Sequence, residues 1–513
     1  MKQANDNKRL ARETMILSIF SVSLQGFGLL LNIFLTERLG SASVGVITLI
    51  GSFYSLASVL SGGSGFIAAS RFISEEIGCN GNPQCVFRYV LSFCLMLSSC
   101  FSMLLCILAP RLIQLNFISN TQINSASLRL IAISLPLSAG CACLKGRCYA
   151  FHRVYLPAIA ECIEFLIRAA VMAFCTVFFI PIGKITILGA FAIAAAAGQG
   201  TALCFLSLFQ MTKSPCRTPC TIKYRTFIRY MLPIIGNACL VSLLSTANDA
   251  LVPLTLLQFG DSTKEALSKF GEFEAIIIPT LFFPSVVQCC MSGLLVPELS
   301  KARANNNSTQ IRNITEHVLE QTVSFSFFIV LLLILFGDTI GKFLGGDAFA
   351  GHILKIMAPI VPFLYLEIIM EGILRGLGKQ SFSSVNYLAE YIVRISVLLI
   401  CVPLFGFYGI VMSYIACNLS GNAVRTFFVL RLTDLKPNWK HIVIYPLMAL
   451  IAAWQTVQIF LRIFGGRNWN PEMYFIVFSI LCGCIMMILL RLMHTTTRAK
   501  SVNLSSQQYQ MNT

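Results

Sequence analysis

Charge is what this sequence has least of. Only 12% of its 513 residues are Asp, Glu, Lys or Arg, about half the share of an ordinary soluble domain. That scarcity excludes a disordered chain, which stays unfolded through high charge and low hydrophobicity. It excludes a soluble enzyme as well, whose surface needs the missing ions. Tryptophan is rare, with three residues, and the five histidines are scattered at His152, His317, His352, His441 and His494. No P-loop, G-x-S-x-G or H-E-x-x-H pattern occurs. ATP bound to this chain is therefore not an expected energy source, and neither an enzyme activity nor a cofactor is expected.

Apolar side chains fill the space that charge leaves. Hydrophobic residues make up 56% of the chain, and the mean hydropathy is +0.76. Apolar runs of about 20 residues recur along its length, enough for a helix to cross a bilayer. They predict 14 spans, at approximately 14–35, 44–69, 88–109, 128–149, 156–180, 187–209, 230–257, 272–297, 316–336, 352–373, 384–404, 408–430, 441–461 and 472–492. The expected class is an all-α polytopic membrane protein. The polar, basic start MKQANDNKRLARE precedes a full-length apolar run, so the first span reads as uncleaved.

The net charge of +16 fits basic loops that meet anionic lipid, and nucleic acid is not an expected partner. Alternating the loops from an inside N-terminus puts about 26 Lys and Arg inside and about 10 outside, as the positive-inside rule requires. The inside set includes Lys8, Arg12, Arg147, Lys213, Arg229, Lys301 and Arg431. An even number of spans with both termini cytoplasmic follows. Most of the twenty cysteines lie inside apolar runs, where a free thiol behaves as a small hydrophobe. Cys216 and Cys220 form a C-x3-C without a second pair, so neither a metal site nor a disulfide framework is expected.

A repeat is visible. Ser64-Gly65 matches Ser292-Gly293, Leu144-Lys145-Gly146 matches Leu374-Arg375-Gly376, and Glu164-x3-Arg168 matches Glu390-x3-Arg394, at offsets of roughly 226–230 residues. Spans 1–6 thus match spans 7–12. An even number of spans per repeat makes both lobes face the same way, with a substrate site expected between them near the midplane. The expected organisation is an N-lobe at 1–210, a cytoplasmic linker at 211–227, a C-lobe at 228–432, two appended spans at 433–493 and a polar tail at 494–513.

Ionisable residues inside spans are costly and mark candidate sites. Arg168 and Arg394 fall about 12 and 10 residues into their spans, near mid-bilayer. Each follows a carboxylate one turn earlier, Glu164 and Glu390. Two readings stand side by side: a self-neutralising ion pair that locks helix packing, or cationic points on a substrate path. Asn248 and Asp249 sit within span 7, where an isolated carboxylate needs a partner, a proton or a coupling cation. Gln25 and Asn32 on span 1, with Ser61 and Ser64 on span 2, either pack helices or line a hydrated lumen. Pro279 and Pro284 predict a kink in span 8, while Glu272 and Glu274 read as solvated at its outer mouth.

The segment LPLSAGCACLKGRCYAFHRVYLPAIAECIEFLIR, its second copy LRGLGKQSFSSVNYLAEYIVRI, and AIIIPTLFFPSVVQCCMSGLLVPELSKA resemble the multidrug/oligosaccharidyl-lipid/polysaccharide (MOP) exporter superfamily. The likeness is strongest to the sporulation members of its polysaccharide-transport branch. The resemblance implies two six-helix lobes, two extra C-terminal helices and alternating access. It implies a flippase or exporter of a lipid-linked saccharide of the undecaprenyl-pyrophosphate type in the cell membrane, with Arg168 and Arg394 near the pyrophosphate. Lipid II flippases of this superfamily carry arginines inside spans 1 and 2. Here Arg38 and Arg71 lie at the ends of those spans, which tells against lipid II itself, and the resemblance does not choose the glycan. A MATE-like cation/drug antiporter using Asp249, and a non-transporting scaffold for envelope or spore-coat synthesis, remain open beside that reading.

Overall fold

Lipid offers backbone N–H and C=O groups no hydrogen-bond partner, so a chain of apolar spans has to satisfy them within helices. The computed structural model describes residues 2–63, 65–78, 81–114, 125–151, 153, 155–209, 224–344, 346, 348–464 and 483, and among these no strand occurs. The α-helices are α1 (Lys2–Leu39), α2 (Ser41–Ser58), α3 (Gly65–Gly78), α4 (Pro83–Gln114), α5 (Ser125–Ala150), α6 (Tyr155–Phe178), α7 (Ile187–Phe209), α8 (Tyr224–Phe259) and α9 (Thr263–Glu272). They continue as α10 (Ile278–Phe282), α11 (Val286–Ala304), α12 (Ser308–Phe343), α13 (Ala348–Met357), α14 (Val361–Gly376), α15 (Gln380–Phe405), α16 (Phe407–Thr433) and α17 (Tyr445–Phe464).

Among the described residues, eleven helical stretches are long and apolar enough to cross a membrane. The protein is therefore a multi-pass membrane protein. Every expected span through 441–461 coincides with a described helix or run of helices. Two of them are not among the eleven. Helix α6 carries Glu161, Glu164 and Arg168, and α16 carries Asn418, Asn422 and Arg425. The expected span 472–492, the tail at 494–513 and most of the linker at 211–227 lie outside the described residues, as does Ser64.

The chain divides into two compact units. The first comprises residues 1–275 and 387–413, the second 276–386 and 414–513. In the first, α5, α6 and α7 pack on one another, α4 and α3 pack on α5, and α2 packs on α8 and α9. Its largest core gathers Ala68, Phe72, Ile73, Val90, Cys94, Leu144, Leu206 and Met231. Helices α2 and α9 meet through glycine: a Cβ on Gly45 would run into the Leu267 carbonyl, and one on Gly271 into the Ser41 carbonyl. The Ser41 and Ser268 hydroxyls bond across the same contact. Small residues let membrane helices approach this closely. The second expected span is broken between α2 and α3 by a π-turn at Val59–Gly63, where Gly62 adopts φ 120°. A side chain is strained in that conformation.

In the second unit α12 packs on α13, α14 and α17, and α11 packs on α14. Leu295, Leu299, Leu319, Ile369, Ile373 and Leu374 form its core. The kink expected in span 8 is a series of breaks. After α9 comes a π-turn at Phe273–Ile277, then α10, then a 3-10 turn at Phe283–Ser285 before α11. Pro279 and Pro284 supply no N–H to the carbonyls four residues earlier, which loosens the ladder there. At the tightened turn the buried Tyr365 hydroxyl donates to the Leu281 carbonyl at 3.1 Å.

Candidate functional site

Two clusters of ionisable side chains are built into the first unit. The first collects around Asp249 on α8. The Ser52 hydroxyl of α2 donates to Asp249 Oδ2 at 2.6 Å, and Asn248 Nδ2 donates to Asp249 Oδ1 at 3.0 Å. Thr246, one turn earlier on α8, donates to the Ser52 carbonyl at 3.2 Å and so ties the two helices together. Asn248 is buried, and its Oδ1 has no hydrogen-bond partner among the described residues. Glu274 lies within electrostatic range of Asp249. Arg394 of α15 reaches Glu274, with Nη2 3.8 Å from Oε1.

The π-turn explains how Glu274 arrives there. A wide turn re-aims its side chains relative to α9, and such bulges often accompany functional positions. Asn32 of α1 holds the turn by donating Nδ2 to the Ala275 carbonyl at 3.1 Å. Pro279 has no N–H to offer that carbonyl from four residues on. Asn32 thus acts on the backbone beside Glu274. Glu390, one turn before Arg394, is buried. Gln25 is exposed on α1 and has no hydrogen bond among the described residues.

Glu272 and Glu274 were expected to be solvated, and neither is. Glu272 is 6% exposed, and the Glu274 side chain is 20% exposed. Proximity to a predicted span end suggested headgroup depth. The close approach of α2 to α9 instead carries that end of the span into the packed interior.

The second cluster lies on α5, α6 and α7. Lys145 Nζ sits 3.1 Å from Glu164 Oε2 and 3.4 Å from Glu161 Oε1. Gln199 of α7 donates Nε2 to Glu164 Oε1 at 2.7 Å. Glu164 is thus held by Lys145 and Gln199, and no ion pair joins it to Arg168 among the described residues. Helical spacing brings positions i and i+4 to one face, but the neighbouring helices supply closer donors. Arg168 instead lies over the Phe165 ring, 5.6 Å from its centroid. Tyr54 of α2 is within electrostatic range of both Glu164 and Arg168.

The second unit holds a buried charge that sequence reading did not single out. Arg425 of α16 is 0% exposed, with Nη2 3.7 Å from Glu367 Oε1 of α14. Its signal was present as an arginine following the polar positions Asn418 and Asn422 at helical spacing. Asn418 and Asn422 donate back to carbonyls of their own helix. Among the described residues no group of three or more His, Cys, Asp or Glu side chains is arranged to hold a metal. The C-x3-C pair, Cys216 and Cys220, lies outside them.

Residues 233–400 match the MatE family. Over 423 residues the chain is 21% identical to stage V sporulation protein B of Bacillus subtilis (strain 168), an alignment that covers 78% of this chain and 80% of that protein. The fold is similar to the inward-facing conformation of a multidrug resistance MATE family transporter of the MOP superfamily. That match has a TM-score of 0.64 at 13% identity and covers 83% of this chain and 98% of the other. The outward-facing conformation of such a transporter matches with a TM-score of 0.59 at 14% identity, over 83% and 96% of the two chains. A MOP superfamily transporter from Pyrococcus furiosus, described by the reverse polarity of its binding pocket, matches with a TM-score of 0.58 at 14% identity, over 83% and 96%.

Proposed function

We propose a cargo and a driving force for this MOP-superfamily membrane transporter. It moves a lipid-linked oligosaccharide or polysaccharide precursor of the undecaprenyl-pyrophosphate type between leaflets by alternating access, driven by a proton or monovalent cation. In this reading both termini are cytoplasmic, basic loops meet anionic lipid, and two six-helix lobes carry out the cycle.

The observation that carries the proposal is the Asp249 cluster. It holds ionisable side chains inside transmembrane helices, oriented by the neutral donors Ser52 and Asn248. When Asp249 and Glu274 are both ionised, Arg394 offsets one of them and leaves the other for a proton or cation. Such residues within a membrane mark ion pathways. A buried ion pair often adds no stability over an apolar core of the same volume, so packing alone does not account for a carboxylate held by neutral donors. The saccharide class is supported by the resemblance of the two Glu-x3-Arg segments and of span 8 to the polysaccharide-transport branch, whose sporulation members include the protein matched along 78% of the chain. Arg168 and Arg394 supply cationic groups suited to a pyrophosphate.

A second reading is a MATE-like cation/drug antiporter, favoured by the folds it matches and served by the same carboxylates. The two readings separate in liposomes containing the purified protein. A panel of labelled undecaprenyl-pyrophosphate-linked saccharides and a panel of cationic dyes are offered in parallel. Protein-dependent, saturable movement of a lipid-linked saccharide, slowed by Arg168→Ala and Arg394→Ala, is the expected result. Movement of dyes alone assigns the antiporter, and movement of neither assigns a scaffold.

A further inference from the structure

A pair of buried thiols lies in the first unit, and nothing in the transport reading uses it. Cys94 on α4 and Cys143 on α5 are 1% and 0% exposed. Both sulfurs converge on one point: a Cβ on Gly65 would stand 2.7 Å from Cys143 Sγ and 3.1 Å from Cys94 Sγ. The backbone of Cys94 also lies against Gly62, whose φ of 120° breaks the second span. The sulfur pair therefore sits beneath the break between α2 and α3, on two helices already packed together.

We propose that Cys94 and Cys143 form a reversible disulfide, a modification site within the membrane-embedded core. Two sulfurs that stand 2.7 and 3.1 Å from one point have a short way to close to the roughly 2.05 Å of an S–S bond. The oxidant is a two-electron acceptor of the quinone class, which dissolves in the bilayer around these helices. Two S–H bonds break and one S–S bond forms. The two protons and two electrons pass to the quinone, which leaves as the quinol. A dithiol reverses the step. Cytoplasmic structural disulfides are rare, and those that form in such proteins are transient and redox-sensing. The bond ties α4 to α5 directly under the broken segment.

Membrane vesicles containing the full-length protein are exposed to a short-chain ubiquinone analogue, denatured, alkylated and digested. The expected product is a peptide pair joined through Cys94 and Cys143, lighter by two hydrogens than the reduced pair. Alkylation of both cysteines falls together and returns after dithiothreitol. In Cys143→Ser, Cys94 stays alkylatable under the same treatment. The proposal is overturned if both thiols of the native chain remain fully alkylatable after quinone, or if Cys94 is recovered joined to Cys141 or Cys148 instead.

Discussion

The two charged clusters of the first unit use the same residue types and differ in what holds their carboxylates. Around Lys145 one cation touches both: Lys145 reaches Glu161 and Glu164, and Gln199 donates to a further oxygen. Around Asp249 one guanidinium lies 3.8 Å from one carboxylate, while the other carboxylate rests on a hydroxyl and an amide. Two carboxylates that share a cation inside a membrane form a clasp, because their interactions are complete in one geometry. A carboxylate held by neutral donors alone is left for a proton or a cation, and whichever ion it takes changes its neighbours. That is the physical requirement for coupling transport to an ion.

The comparison breaks most sharply at Asp249. Asp249→Asn is expected to lower ion-driven transport about 100-fold, near the upper end of coupling between linked sites, while thermal unfolding in detergent stays near that of the native protein. An equal loss of stability would make this cluster a clasp too. Lys145→Met is expected to do the reverse. It leaves two carboxylates without their cation and lowers unfolding stability by about 2 kcal/mol, less than for a fully buried pair because Glu161 is half exposed. Lys145→Arg should restore most of that loss. Gly271→Ala pushes a methyl into the Ser41 carbonyl and the Gly45 backbone. It should cost about 1–2 kcal/mol of stability by overpacking, and it should disturb transport through the displaced Glu274. Asn32→Leu removes the amide bond to the Ala275 carbonyl. Its expected cost is the smallest, about 1 kcal/mol, with a shift in the ion dependence of transport that a purely structural role would not produce.

Much of this was legible in the residues, and the failures have physical causes. The helices followed from apolar run length, and the broken eighth span followed from Pro279 and Pro284, because both signals are local. Asp249, Arg394 and Glu164 stood out because a charge inside an apolar run is costly. Glu274 was misplaced because depth was judged from distance along the chain, whereas the glycine contact between α2 and α9 sets it. Arg425 was not singled out although it lies within the expected span 408–430, and it is fully buried against Glu367. The partners of Glu164 were hidden more deeply. Lys145 lies 19 positions away and Gln199 lies 35, and helical spacing within α6 pointed to Arg168 instead.

The most direct measurement is the initial rate of transbilayer movement of a labelled undecaprenyl-pyrophosphate-linked saccharide in vesicles containing the protein, with a proton or sodium gradient imposed or collapsed. The account predicts protein-dependent movement that one of these gradients accelerates in the native chain and fails to accelerate in Asp249→Asn. Movement that is equally fast in protein-free vesicles, or a gradient response that Asp249→Asn leaves intact, would contradict it.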